Sequence, residues 1–413
     1  MDLKSLGLLA ISAATISSGS LFAFEDATVL PKGIRRVMVT SVHTEFSERT
    51  TSNGSTESIA KPLEKEVTFK DFVGTRKGLD RTQLASFLSA YGIDESESVG
   101  SITTDMKAKI NVFAPSFSLG FSEKLSIGFV IPIYDAQTDV NVGFAPNSNA
   151  DKFANLLNDP ATGQSEKVEE AVNAINGVVG TLNQKLSDNG YQKLGSWAST
   201  GLGDVMLKAK YQSLNSRRIR MATNAGFYAP TGQQDDPDIL TDIGFGDGTW
   251  DPFLGIVVDE GFWGPIFLNQ YAQYTAQLPA QRSVRMKTAD EPITAEKRTV
   301  TYDLGDKIDA GASIQADAKN GVSGGLGYAY FFKFKDNYNA GKSTSAYEAD
   351  TQQSSQSAEA FIGYSSTGLY RSGVRVPPFQ VLSSYQRQLR QRQLQSRNMP
   401  VADRILFEAK LYF

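Results

Sequence analysis

The chain closes on Asp403-Arg404-Ile405-Leu406-Phe407-Glu408-Ala409-Lys410-Leu411-Tyr412-Phe413. One parity of this stretch is apolar throughout: Ile405, Phe407, Ala409, Leu411 and Phe413. The other carries Arg404, Glu408 and Lys410, with Leu406 and Tyr412. Successive side chains of a β-strand point to opposite faces, so this reads as a strand with one apolar and one polar face. The clearest companion lies in Lys124–Phe144, where Leu125, Ile127, Phe129, Ile131 and Ile133 alternate with Ser126, Gly128 and Tyr134. Pro132 within it marks the edge of an apolar band or a bulge, because proline donates no ladder hydrogen bond.

Working outward, alternating runs occur at Ile34–Ser47, Lys107–Phe121, Lys124–Phe144, Asp204–Leu214, Arg218–Ala229 and Pro252–Asp259, then at Pro265–Leu278, Asp306–Ala318, Val322–Lys335, Ser354–Tyr364, Phe379–Arg390 and Asp403–Phe413. The connections alternate long and short, beginning with a long one. Long loops at 48–106, 145–203, 230–251 and 279–304 contrast with tight turns at Ser122-Glu123, Asn215-Ser216-Arg217 and Lys319-Asn320-Gly321. This asymmetry predicts an all-β fold: a transmembrane antiparallel up-and-down β-barrel of about twelve strands, or fourteen if two more hide in the first two long loops. A soluble β-sandwich shares the period of two, but strands of ~10 residues and the regular loop asymmetry favour the membrane case.

Composition agrees. The 413 residues include 36 Gly and 10% aromatics, but beyond the amino terminus no run approaches the ~20 apolar residues of a spanning helix. There is no cysteine, which excludes a disulfide frame and thiol chemistry, and the net charge of −4 with scattered basic residues leaves no nucleic-acid footprint. Met1–Ala23 reads as a secretory signal: Lys4, an apolar core at Leu6–Ile16, the small residues Ser17-Ser18-Gly19-Ser20, then Leu21-Phe22-Ala23, with cleavage after Ala23 or, alternatively, after Ser20. A buried helix of a cytosolic domain is the competing reading of that run. The barrel with its loops then occupies 24–413.

Two long loops carry helical periodicity. Asp80 and Gln83 have capping-box spacing, Leu84, Phe87, Leu88 and Tyr91 share a face, and Gly92 ends the helix. Ser165–Leu186 places Val168, Val172, Ile175, Val179, Leu182 and Leu186 on one stripe. These stripes either pack on each other and on the barrel rim as a structural cap, or form an apolar lid over the lumen. The single histidine, His43, sits in the first strand beside Ser41, Thr44 and Ser47; neighbours along a strand do not build a triad, so no enzymatic role is expected. Asp235, Asp236, Asp238, Asp242, Asp247 and Asp251 make the third loop acidic. They lack calcium-loop order, and a solvated acidic loop is favoured over a metal site, so neither metal nor cofactor is expected. Gly201-Leu202-Gly203-Asp204 and Gly244-Phe245-Gly246-Asp247-Gly248 lack the context of a phosphate loop. A charge facing lipid at mid-depth costs ~2–4 kcal/mol, so Lys208, Lys210, Arg218, Arg220, Glu359, Arg404, Glu408 and Lys410 are expected to face the lumen.

The closing stretch resembles the last strand of bacterial outer-membrane barrels, whose assembly machinery recognises a terminal aromatic residue; Phe413 would be that signal. Gly201-Leu202-Gly203-Asp204-Val205-Met206-Leu207-Lys208-Ala209-Lys210-Tyr211, then Ala229-Pro230-Thr231-Gly232, Gly248-Thr249-Trp250-Asp251-Pro252 and the Gly-Phe-Trp-Gly-Pro turn at Gly261–Pro265 resemble the outer-membrane transporter-like proteins of the phenol meta-cleavage pathway. These are distantly similar to the long-chain fatty-acid transporters. The match covers about Gly201–Gln277 and the last strand. It implies an outer-membrane channel of a Gram-negative bacterium that admits small hydrophobic or aromatic solutes, in contact with lipid and lipopolysaccharide. A non-conducting barrel whose large surface loops serve adhesion or envelope structure is the alternative. With only Phe24–Gly33 ahead of the first strand, no amino-terminal plug is expected.

Overall fold

A computed structural model describes residues 11–12, 26–71, 79–158, 177–286, 293–318, 320–339, 345–389 and 396–413. The candidate signal, apart from the backbone at 11–12, lies outside them. Twelve wall strands form one antiparallel ring. They are β1 (Arg35–Phe46), β2 (Ser98–Ser122), β3 (Leu125–Val130 and Ile133–Pro146), β4 (Trp197–Leu202 and Val205–Asn215), β5 (Ile219–Ala229) and β6 (Asp251–Trp263). The others are β7 (Ile266–Thr275), β8 (Lys307–Asp317), β9 (Val322–Lys333), β10 (Gln353–Ser365), β11 (Phe379–Gln388) and β12 (Asp403–Tyr412). β1 pairs with β12 from Arg36↔Tyr412 to Glu45↔Asp403 and with β2 from Arg35↔Leu119 to Phe46↔Ala108, which closes the ring.

The count is twelve rather than fourteen. The further short strands among the described residues are not wall strands: Lys65–Thr68 pairs with the loop end of β2, Ala280–Arg285, Lys297–Asp303 and Asn337–Asn339 form a separate small sheet, and Glu48–Thr50 with Thr56–Ser58 and Ile11–Ser12 with Ile243–Gly244 form two-stranded pairs. β2 is 25 residues long and starts nine residues before the run read from Lys107, whereas β3, ending at Pro146, matches the run read to Phe144 within two residues. β3 breaks at Ile131-Pro132, where the proline interrupts its ladder.

Parity assigns the two faces. Outward side chains include Leu326 (69% exposed), Ile362 (64%) and Leu254 (60%), and on β12 Ile405, Phe407 and Leu411. Each such side chain left in water forgoes ~1.5–3 kcal/mol, so a ring of them is the surface of a protein whose solvent there is hydrocarbon. No helix among the described residues is long and apolar enough to cross a membrane; the strands do so.

Above the ring, α1 (Leu79–Ala90), α2 (Ser148–Asn158) and α3 (Val178–Asp188) lie in the first two long loops. Gly92, at φ +67, stops α1 as expected of a left-handed cap. The amino-terminal segment differs from expectation. Asp26–Leu30 enters the barrel: the Ala27 N–H donates to Asp259 Oδ2 (2.9 Å), the Leu30 N–H to Ser126 Oγ (2.7 Å), and Ala27 is fully buried. Short as it is, the segment is a stopper. It carries no periodic pattern, so nothing local in the sequence marks it.

The ring closes on the last residue: the Arg35 N–H donates to the Phe413 carbonyl (2.8 Å) and the Phe413 N–H to the Arg35 carbonyl (3.0 Å). Deleting Phe413 removes this pair and an exposed aromatic side chain. The expected result is a several-fold drop in heat-modifiable barrel in outer membranes, read by gel shift; unchanged assembly would contradict this role for the seam.

Candidate functional site

The lumen has two unlike halves. On β2 and β3 many inward side chains are apolar or aromatic, and Ile110, Val112, Val130 and Tyr134 pack in one cluster with Met206 of β4 and Phe253 of β6. Across the bore, β8 and β10–β12 present Asp309, Ser357, Glu359, Gln386, Arg404 and Glu408. A cavity of about 30 Å³ remains between Asp309, Ser357, Gln388 and Arg404, walled by Phe331 and Tyr271 and roofed by Met399 and Pro400. That is room for a water or two. The roof is a strap from the β11–β12 loop, bonded to the first loop through Thr50 N to Met399 O (2.8 Å) and Val401 N to Glu48 O (2.8 Å).

At the short-turn end the stopper holds the bore. Arg220 pairs with Asp259 (3.1 Å), which also accepts from Asn269 Nδ2 (2.7 Å). Lys210 Nζ donates to the Asp26 carbonyl and Gln212 Nε2 to the Ala27 carbonyl, each at 2.7 Å. Lys410 pairs with Glu408 at 2.6 Å. Of the expected lumen charges, Lys208, Lys210, Arg220, Glu359, Arg404, Glu408 and Lys410 share the inward parity of their strands. Arg218 does not belong with them. β5 begins one residue later, at Ile219, and Arg218 is exposed in the turn, where its carbonyl accepts from the Gly261 N–H (2.7 Å).

At the loop end most acids of the third loop are paired within the protein rather than solvated; Asp236 is exposed. Lys307, buried, reaches Asp247 (3.2 Å) and Asp251 (3.5 Å), and Arg282 reaches Asp235 (2.7 Å). Arg285, 1% exposed, donates to Asp238 (2.6 Å) and to the carbonyls of Asn189, Gly190 and Thr294, and stacks 3.7 Å from the centre of the Tyr191 ring. Lys297 also bonds Asp238. Asp235, Asp238, Asp247 and Asp251 are thus internal counter-charges that pin the loop to the rest of the cap. Burial pushes the Asp242 carboxyl up to about 7; the Asp236 N–H opposes this, and nearby Asp235 and Asp236 add to it. Burial also acts on Asp238, but Lys297 and Arg285 outweigh it and hold that group below its ordinary value.

The helices make a packed cap. Leu88 and Leu182 are fully buried with Phe69, Phe153, Val99 and Leu186, and Val179 is half-buried. Tyr91 is exposed. Val172 and Ile175, and the side chains of Leu84 and Phe87, lie outside the described residues. His43 faces outward from β1 and bonds Asn111 (2.8 Å), which donates to Asp135 (3.2 Å). This polar row runs along the outer wall, away from the lumen.

The sequence reading missed an aromatic group at the mouth. Phe245, from the third loop, stacks on inward-facing Tyr134 (centroids 5.5 Å, planes 6° apart) and meets Trp197 at 6.2 Å. A Cβ on Gly201 would lie 2.9 Å from the Phe245 ring, and one on Gly203 would strike the Tyr134 ring. The signal was present in the two glycine clusters, but only the fold brings them together.

No family model matches the chain, and no curated protein matches it. Among solved structures, an outer-membrane channel from Pseudomonas putida F1 is similar at TM-score 0.53 and 10% identity, over 95% of this chain and 100% of the other. A Pseudomonas aeruginosa FadL homologue gives TM-score 0.36 at 10% identity over 98% of each chain. The toluene transporter TodX of Pseudomonas putida gives 0.31 at 12%, over 100% of this chain and 96% of the other. The first shows the fold; the last two, below 0.5, add nothing to it.

The Asp242 carboxyl sets a pH dependence for the cap. Its folded value lies above that of an unfolded carboxyl, so packing favours the protonated form. The contribution is full below about 4 and is lost as pH rises through about 7. Limited proteolysis of loop 230–250 is expected to be several-fold faster at pH 8 than at pH 5, and Asp242→Asn to flatten the profile. An unchanged profile in that variant would contradict the assignment.

Proposed function

We propose that the protein is an outer-membrane channel of a Gram-negative bacterium, admitting small hydrophobic or aromatic solutes along the apolar half of its lumen. The observation that carries this reading is the two-sided bore. Water-filled barrels have polar interiors, whereas here Ile110, Val112, Val130, Met206 and Phe253 pack into one apolar cluster inside the bore. In this reading Glu359, Arg404, Glu408 and Lys410, on β10 and β12, keep the other side wet, while Lys208, Lys210 and Arg220, on β4 and β5, lie nearer the apolar side, where Lys210 anchors the stopper. The fold shared with an outer-membrane channel supports the same reading. In this account Met1–Ala23 is removed on export, the outward apolar band meets lipid and lipopolysaccharide, and the assembly machinery reads the closing strand with Phe413.

The cap supports a second reading. A sealed apolar core around Leu88 and Leu182 suits a non-conducting barrel that displays its loops for adhesion or envelope structure.

Uptake separates the two. Intact Gram-negative cells making the chain are expected to accumulate labelled toluene several-fold faster than cells without it, while planar bilayers show only small ion conductance because the bore is filled. Equal uptake with and without the chain, unaffected by removing the loops, would leave the adhesion reading.

A further inference from the structure

The contact at the mouth is built differently from the core around it. Tyr134, Trp197 and Gly201 belong to the wall: all three face inward from β3 and β4, with Tyr134 opposite Gly201 and Thr138 opposite Trp197 in the ladder. Phe245 alone comes from a loop. It is 2% exposed, and the aromatic side chains around it offer its ring edge and face contacts rather than a polar group. Gly201 clears the space beneath it, since any side chain there would occupy the ring's position. The seat opens onto the apolar wall, because Tyr134, Met206, Val130 and Phe253 belong to the same cluster as Phe245.

The loop that carries Phe245 is pinned on both flanks by the Asp235–Arg282, Asp238–Arg285 and Asp247–Lys307 pairs, so vacating the seat means turning the Phe245 side chain rather than releasing the loop. Gln233 O accepts from the Phe245 N–H (2.7 Å) and the Gly246 N–H (3.1 Å), and Thr138 Oγ1 donates to Thr241 O (2.8 Å). Tyr134 stacks flat on the Phe245 ring and Trp197 meets it at 44°, contacts that a free aromatic ring can make as well as a tethered one.

The geometry points to a binding site for the aromatic ring of a solute between Tyr134 and Trp197 over Gly201, which Phe245 occupies until a solute takes its place. This rests on the channel reading and deepens it: the site selects flat aromatic rings over saturated hydrocarbons of the same size. Phe245 acts as an internal competitor, so its removal strengthens binding. Filling the slot from below removes binding without touching the barrel ladder.

The chain has three tryptophans, and replacing Trp250 and Trp263 by Phe leaves Trp197 as the reporter. Full-length protein in detergent is titrated with toluene and, in parallel, with methylcyclohexane. Trp197 emission is expected to change saturably with toluene and not with methylcyclohexane. In Phe245→Ala the half-saturation point falls roughly tenfold. In Gly201→Val the response disappears while heat-modifiability persists. A silent Trp197 in both the parent and Phe245→Ala would overturn the proposal, as would an equal response to methylcyclohexane or an unchanged response in Gly201→Val. Cellular toluene uptake is measured on the same variants: uptake that persists with a silent Trp197 overturns the site and leaves the channel standing. A saturable Trp197 response without uptake supports the site and overturns the channel.

Discussion

The constraint on which everything else depends is that no backbone N–H or carbonyl can be left unpaired in hydrocarbon. β1 meets that constraint by pairing on both sides, with β12 and with β2, so the sheet has no edge within the membrane. Closure fixes parity, because every strand must then send alternate residues to lipid and to the bore. Ile405, Phe407 and Leu411 are exposed for that reason, and Arg404, Glu408 and Lys410 are inside for the same reason. Twelve strands enclose a bore that side chains and a short segment of chain can fill. The bore therefore has to reconcile its charges internally, and it does so through Arg220–Asp259, Lys410–Glu408 and the carbonyls of Asp26 and Ala27.

The same requirement extends upward. A loop rich in aspartate could not lie against an apolar cap unless its charges were met. Lys307, Arg282 and Arg285 meet them from β8 and the small loop sheet. Burying ion pairs is costly unless each charge is well paired, and losing one partner leaves the other stranded. Arg285 is the most exposed to that logic: one guanidinium holds Asp238 and three carbonyls from separate segments. The cap is consequently a single packed body.

Much of this was legible in the sequence because hydrocarbon enforces alternation residue by residue. Strand number, facing and the short turns follow from it. The reading weakened wherever that pressure is absent. β2 begins at Ser98, nine residues before the alternating run read from Lys107, so its true length was hidden, whereas β3 ends within two residues of the run read to Phe144. Arg218 has the right parity but sits in a turn, where parity has no meaning. The stopper at Asp26–Leu30 has no pattern, since its burial is decided by Asp259 and Gln212, far away in the chain. The aromatic group at the mouth joins Tyr134, Gly201 and Phe245 through tertiary structure alone. Its glycines could be seen in advance, but not what they make room for.

The central claim is that solutes pass through the lumen, past a stopper that has to move. The chain contains no cysteine, so an engineered pair reports cleanly. Ala27→Cys with Gln212→Cys, bridged through disulfides by a short bifunctional methanethiosulfonate reagent that spans the length of the lost Gln212 side chain, joins the stopper to the wall where that side chain now bonds the Ala27 carbonyl. Toluene uptake by cells making this variant is predicted to fall to the background of cells without the chain once the bridge is formed, and to recover on reduction. Uptake that is the same whether the bridge is formed or reduced would contradict passage through the bore.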